Sequence, residues 1–144
     1  MPIVLDANEM TEFLDEVFPQ VKGMFEIDRL DEDLLVMRLL HHERHLRPGN
    51  TVSGPAMFAL VDVAAYVATM SRVGREALAV TTHCSIDFMR KPAAGRDVVA
   101  EAKVLKLGKA LSVTQVLLYS EGESEPVANA SLTYSIPPKR KEAP

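Results

Sequence analysis

Between Arg47 and Arg72 the chain carries a single charged side chain, Asp62, which lies within its most apolar stretch, Ala56 to Met70. A carboxylate is rarely buried without partners, so this stretch must be enclosed by protein and its aspartate must have a reason to be there. Ser53 can cap a helix, and Pro55 loses nothing in a first turn whose N–H groups are unpaired anyway. The spacing therefore predicts a helix that begins at Ser53-Gly54-Pro55 and ends near Ser71, before Gly74. It is apolar on every side. It falls short of the roughly 18 apolar residues of a membrane span and is expected to be the core helix.

The remainder must supply the covering. Met10, Phe13, Leu14 and Val17 recur at three and four in Asp6 to Val17, a short amphipathic helix ended by Pro19. Met24 to Arg29 and Leu34 to His41 read as a strand hairpin about Asp31-Glu32-Asp33, and His42 to Val52 as a loop. Four longer strands follow, Leu78 to Phe88, Val98 to Leu107, Leu111 to Tyr119 and Val127 to Ile136. In the last, Ala128, Ala130, Leu132, Tyr134 and Ile136 alternate with Asn129, Ser131, Thr133 and Ser135, which leaves one sheet face for the helix. Short turns imply antiparallel neighbours and an α+β fold. A single domain over 1–138 and a flexible tail over 139–144 are expected.

A formal charge of -4 argues against a general nucleic-acid binder. One cysteine, Cys84, allows no internal disulfide and fits a reducing compartment, and the N-terminus has no basic region followed by an apolar run. A cytoplasmic protein with no membrane attachment is expected. His41, His42 and His45 lack the spacing of a metal site, so no metal and no cofactor are expected. No phosphate-cradling glycine loop and no GxSxG elbow occurs.

Two readings of Asp62 stand at this level: a buried structural carboxylate, or a general base or nucleophile. Gly54 is either a turn residue or a point where backbone N–H groups at a helix start meet an oxyanion. Eight residues of helix separate the two by about 12 Å, too far to serve one carbonyl carbon, unless two helices lie antiparallel across a two-fold axis. Thr82, grouped by alternation with Leu78, Val80, Cys84, Ile86 and Phe88, is the one hydroxyl expected on the face toward the helix.

The run Asn50-Thr-Val-Ser-Gly-Pro-Ala-Met-Phe-Ala-Leu-Val-Asp62, then Thr82 through Phe88-Met-Arg-Lys-Pro92 and Leu107-Gly-Lys109, resembles the phenylacetic-acid-degradation (PaaI-like) thioesterases. The resemblance covers nearly the whole chain and implies the hotdog fold, a curved antiparallel sheet wrapped around a long central helix. It further implies acyl-CoA hydrolysis at sites shared between subunits of a homo-oligomer, a dimer or a dimer of dimers. Asp62 would be the base or nucleophile, the Gly54 N–H the oxyanion donor, and Thr82 a positioning hydroxyl. Ser53, Arg90, Lys91, Lys106 and Lys109 would contact substrate, the basic ones through CoA phosphates.

Two departures accompany it. The family's His-Gly-Gly at the helix start is here Ser53-Gly54-Pro55, and Pro55 has no N–H to donate. The asparagine expected before it falls on Arg47, with Asn50 three residues late, so Arg47 or Asn50 must substitute. A non-catalytic acyl-CoA binding protein on the same fold is the alternative that these departures favour. A dehydratase would need a histidine beside the carboxylate, and the helix has none.

Overall fold

The computed structural model describes residues 2–138, so the expected tail over 139–144 lies outside the described residues. Helix α1, Ala7–Val17, starts with a reciprocal cap: Asp6 accepts from the Glu9 N–H at 2.8 Å, and Glu9 accepts from the Asp6 N–H at 3.2 Å. Its Met10, Phe13 and Leu14 are buried, as the three-and-four spacing requires.

Strands β1, Phe25–Leu30, and β2, Leu35–Leu39, form the expected hairpin, its turn held by Asp31 accepting from the Asp33 and Leu34 N–H groups. The segment expected to be a plain loop contains a small second hairpin, β3 Leu46–Arg47 with β4 Thr51–Val52. Pro48 and Gly49 turn it: Gly49 has φ 98°, and the Asn50 N–H closes on the Arg47 carbonyl at 3.0 Å. Asn50 itself sits at φ 63°, where asparagine is tolerated better than most residues.

Helix α2, Gly54–Val73, lies against one face of a six-stranded antiparallel sheet in the order β1-β2-β6-β7-β8-β5. The later strands are β5 Val80–Phe88, β6 Val98–Leu107, β7 Leu111–Ser120 and β8 Pro126–Ser135. This is the hotdog arrangement. Leu60, Val61, Val67 and Met70 of α2 pack against inward-facing Met37, Ala100, Val116, Leu118, Ala130 and Leu132 in one core. The C-terminal part of the helix is pinned to β7 by a buried Thr69–Ser112 hydroxyl pair at 2.9 Å.

The structure corrects two expectations about α2. By length and composition the 20-residue helix is long and apolar enough to cross a membrane, but 72% of its apolar window is buried inside the protein. Nor is it covered on every side: Pro55, Phe58 and Asp62 form a stripe at three-and-four spacing that is exposed or half-buried. That stripe lies toward β5, an edge strand of the sheet.

Far from α2's open stripe, Arg38 on β2 binds Asp28 at 2.8 Å and Asp97 at 3.0 Å, and also Glu121. These bonds hold its guanidinium pKa above the ordinary arginine value. One cation thus gathers three carboxylates, Asp28 from β1 and Asp97 and Glu121 from the chain just before Val98 and just after Ser120. Arg38→Ala is expected to destabilise the protein by about 1–2 kcal/mol at neutral pH, because the carboxylates are left to repel one another. Denaturant melts of the two proteins at neutral pH should show this loss, and a smaller one in high salt, which screens the carboxylates from one another.

Candidate active site

Asp62 is half-buried at the middle of α2, and two hydroxyls converge on one of its oxygens. Thr81 Oγ1 donates to Oδ1 at 2.6 Å and the Tyr134 phenol donates to the same Oδ1 at 2.7 Å. Tyr134 also lies 3.0 Å from the Asp62 backbone carbonyl. Among the described residues no hydrogen bond reaches Oδ2. Burial, with the Asp62 charge second, raises the Tyr134 pKa well above the ordinary tyrosine value, so this phenol remains a donor throughout the neutral range.

The hydroxyl that meets the helix is therefore Thr81, not the expected Thr82. Thr81 pairs with Tyr134 and His83 with Thr133, which makes Thr82 the extra residue of a bulge in β5. One inserted residue inverts the alternation, so Cys84 and Ile86 share the inward side with Thr81, whereas Val80 and Leu78 are exposed. Thr82 is exposed and donates to the Thr133 carbonyl at 3.3 Å. Tyr134 was visible only as one inward member of the β8 alternation. The usable signal was its polar tip, which must find an acceptor on the face that covers an aspartate.

Beside this triad lies a cavity of about 470 Å³. Its walls are Val17 and Phe18 at the end of α1, Val63 and Tyr66 of α2, and the approach to β5 from Ala77 to Val80. Among the described residues Asp62 is the one charged side chain on its lining. Cys84 is close enough to Asp62 for the carboxylate to raise its thiol pKa, although burial raises it more.

Gly54 opens α2 at the other end of β5. Of the first four N–H positions of the helix, Pro55 has no hydrogen, Ala56 donates to the Ser53 hydroxyl at 3.2 Å, and Met57 donates to the Ser53 carbonyl at 3.1 Å. The Gly54 N–H is the donor left without an acceptor among the described residues. Ser53, expected to touch substrate, is committed as the helix cap. A β-carbon on Gly54 would meet the Phe88 ring at 3.6 Å, an ordinary contact, so the glycine is not required by packing.

A shallow second cavity of about 410 Å³ lies here, lined by Gly54, Arg47, Met57, Phe88, Arg90 and Lys91 among others. Of the basic residues expected at a substrate, the fold brings Arg47, Arg90 and Lys91 to Gly54. Arg90 is also tied to Glu125 and to the Pro126 carbonyl. Within one chain Lys106 and Lys109 do not join them: Lys106 is exposed beside a register shift in β6, and Lys109 lines a separate cavity at the β6–β7 turn. Asn50 lies on the β3–β4 turn and does not line the Gly54 cavity, so Arg47 is the residue placed there. Among the described residues no group of three His, Cys, Asp or Glu side chains is arranged to hold a metal.

Residues 49–127 match the Thioesterase superfamily. A candidate thioesterase from Silicibacter sp. is 55% identical, with 96% of each chain covered and a TM-score of 0.90. A variant of the phenylacetic acid degradation protein PaaI from Thermus thermophilus is 26% identical over 82% of this chain and 98% of that one, at a TM-score of 0.70. A hypothetical thioesterase from Streptococcus pneumoniae, crystallised with coenzyme A, shares the fold at 17% identity and a TM-score of 0.75, covering 92% of this chain and 99% of that one. No curated protein matched. With the family's match spanning more than half of the sequence and a helix carboxylate at the site, this chain belongs to the Thioesterase superfamily, as a PaaI-like thioester hydrolase of the hotdog fold.

Proposed function

We propose that the protein hydrolyses acyl-CoA to free acid and CoA, with Asp62 driving attack on the thioester carbonyl from one subunit and the Gly54 N–H of a second subunit holding the oxyanion. The observation that carries this reading is the pairing of a half-buried carboxylate with one unspent helix-start N–H, at opposite ends of the edge strand β5. Asp62 acts as base toward water or as the attacking oxygen itself. As base it takes a proton from the water whose oxygen adds to the carbonyl and expels the thiolate; as nucleophile its own oxygen expels the thiolate, and water then hydrolyses the acyl–aspartyl anhydride to free acid and the restored carboxylate.

The edge strand supports the shared site. β5 is nine residues long, ends the sheet, and carries exposed Val80 and Phe88, an edge that invites pairing with another strand; Phe58 of α2 is exposed as well. Antiparallel pairing of two β5 strands about their midpoint, near Cys84, sets the Thr81 end of one against the Phe88 end of the other. Thr81 holds Asp62, and Phe88 lies on Gly54. The partner's donor is thereby brought to each carboxylate across a two-fold axis. CoA in the distantly similar Streptococcus protein agrees with a CoA-bearing substrate, whose phosphates would meet Arg47, Arg90 and Lys91. A reducing cytoplasm suits both that substrate and the free Cys84 thiol.

The apolar walls beside Asp62 suit an uncharged acyl group. In a panel of acyl-CoA thioesters monitored by free-thiol release, octanoyl- and phenylacetyl-CoA are expected to turn over with kcat/KM at least about 10-fold above succinyl-CoA, since the lining has no cation for a second carboxylate. Failure to release thiol from any member would sink the hydrolase reading.

A further inference from the structure

We infer that Tyr134 and Thr81 are a paired positioning device that ties up Oδ1 of Asp62 and presents Oδ2 alone to the reacting carbonyl or water. The inference rests on the reading of Asp62 as the catalytic carboxylate. A free aspartate on a helix rotates about two side-chain bonds and offers either oxygen. Here Oδ1 takes two short hydroxyl bonds, and the phenol reaches the backbone carbonyl of the same residue, which ties the carboxylate to its own helix turn. Each donor comes from a different strand, and these strands are neighbours: Thr81 of β5 pairs with Tyr134 of β8. The β5 bulge decides which threonine takes part: with Thr82 looped out, Thr81 occupies the position opposite Tyr134 that regular pairing back from His83–Thr133 would give to Thr82.

The donors are themselves held. Tyr134 is buried, with its ring 5.9 Å from that of Tyr66, whose own hydroxyl donates to the Ala77 carbonyl at 3.2 Å. Tyr66 in turn stacks on buried Phe13 of α1 at 6.3 Å. Packing thus fixes the phenol, the phenol fixes the carboxylate, and Oδ2 is left without a protein partner among the described residues. The cavity beside the triad is where an attacking water or thioester would meet that oxygen.

The test is a set of double-mutant cycles read in kcat and KM on one acyl-CoA. Tyr134→Phe and Thr81→Val should each lower kcat about 10-fold and leave KM within about 2-fold, because substrate still binds while the carboxylate wanders. Thr81→Ser should restore near wild-type kcat, and Thr82→Val should leave it unchanged. In an Asp62→Asn background, Tyr134→Phe and Thr81→Val should lower the residual rate no further, a result that a role confined to holding up the fold would not produce. Wild-type kcat in Thr81→Val, or equal kcat losses with and without Asp62, overturns the inference. Should Tyr134→Phe fail to fold, the Thr81 pair decides by itself. If Asp62→Asn turns over like wild type, the catalytic reading of Asp62 fails instead, so the two failures are distinct.

Discussion

Asp62→Asn is expected to lower thioester hydrolysis at least about 100-fold while leaving the protein folded, the scale on which a lost general base or nucleophile registers. That is about 2.7 kcal/mol of transition-state stabilisation. The substitution isolates chemistry from structure because of how the site is bonded. Thr81 and Tyr134 both donate to Oδ1, and an amide oxygen in that place accepts from both, so neither buried hydroxyl loses its partner. The melting temperature should therefore stay within about 3 °C, the shift that roughly 1 kcal/mol produces in a chain of this size. Asp62→Ala, by contrast, strands the Thr81 hydroxyl, while Tyr134 keeps the backbone carbonyl of residue 62 as its acceptor, and is expected to destabilise by about 1–3 kcal/mol. Thiol release and thermal melts on the two variants separate the readings. An asparagine variant that stays folded with wild-type turnover would show the carboxylate to be structural only.

Why Asp62 could be found without the fold, and its partners could not, follows from the range of the signals. A lone charge in an apolar helix is a conflict that sequence displays directly, since no packing arrangement makes burial of an unpaired carboxylate cheap. Gly54 was legible for a similar local reason: capping by Ser53 and the missing N–H of Pro55 are set by adjacent residues. Thr81 was hidden because strand alternation assumes a strict period of two, and one bulged residue carries every inward assignment before it to the wrong face. The short β3–β4 hairpin was hidden too, since two-residue strands have no period to detect, although Pro48-Gly49-Asn50 already marked the turn. Arg90 and Lys91 reach Gly54 through a β5 end placed by long-range pairing, so their grouping with Arg47 rather than with Lys106 or Lys109 is a property of the sheet order.

The oligomer carries the second large effect. Gly54→Pro is expected to remove the one unspent N–H at the start of α2 and to lower kcat about 100- to 1000-fold, as loss of an oxyanion donor does. Ser53 has φ -74° and ψ 156°, the extended conformation that a following proline requires, and a first helical position accepts proline. Gly54→Ala keeps the N–H, meets Phe88 only at ordinary contact distance, and is the control that should retain most activity. Now let Asp62→Asn chains and Gly54→Pro chains be co-expressed with different tags, and isolate the mixed dimers. If each site joins Asp62 of one subunit to Gly54 of the other, one site in the mixed dimer bears both lesions and its twin bears neither. About half of the wild-type dimer's turnover should then return from two parents that are each nearly inactive. If each chain held a complete site, both sites in the mixed dimer would stay damaged and nothing would return. The about 12 Å of helix between Gly54 and Asp62 is what makes recovery the expected result, because one carbonyl carbon cannot touch both ends of it.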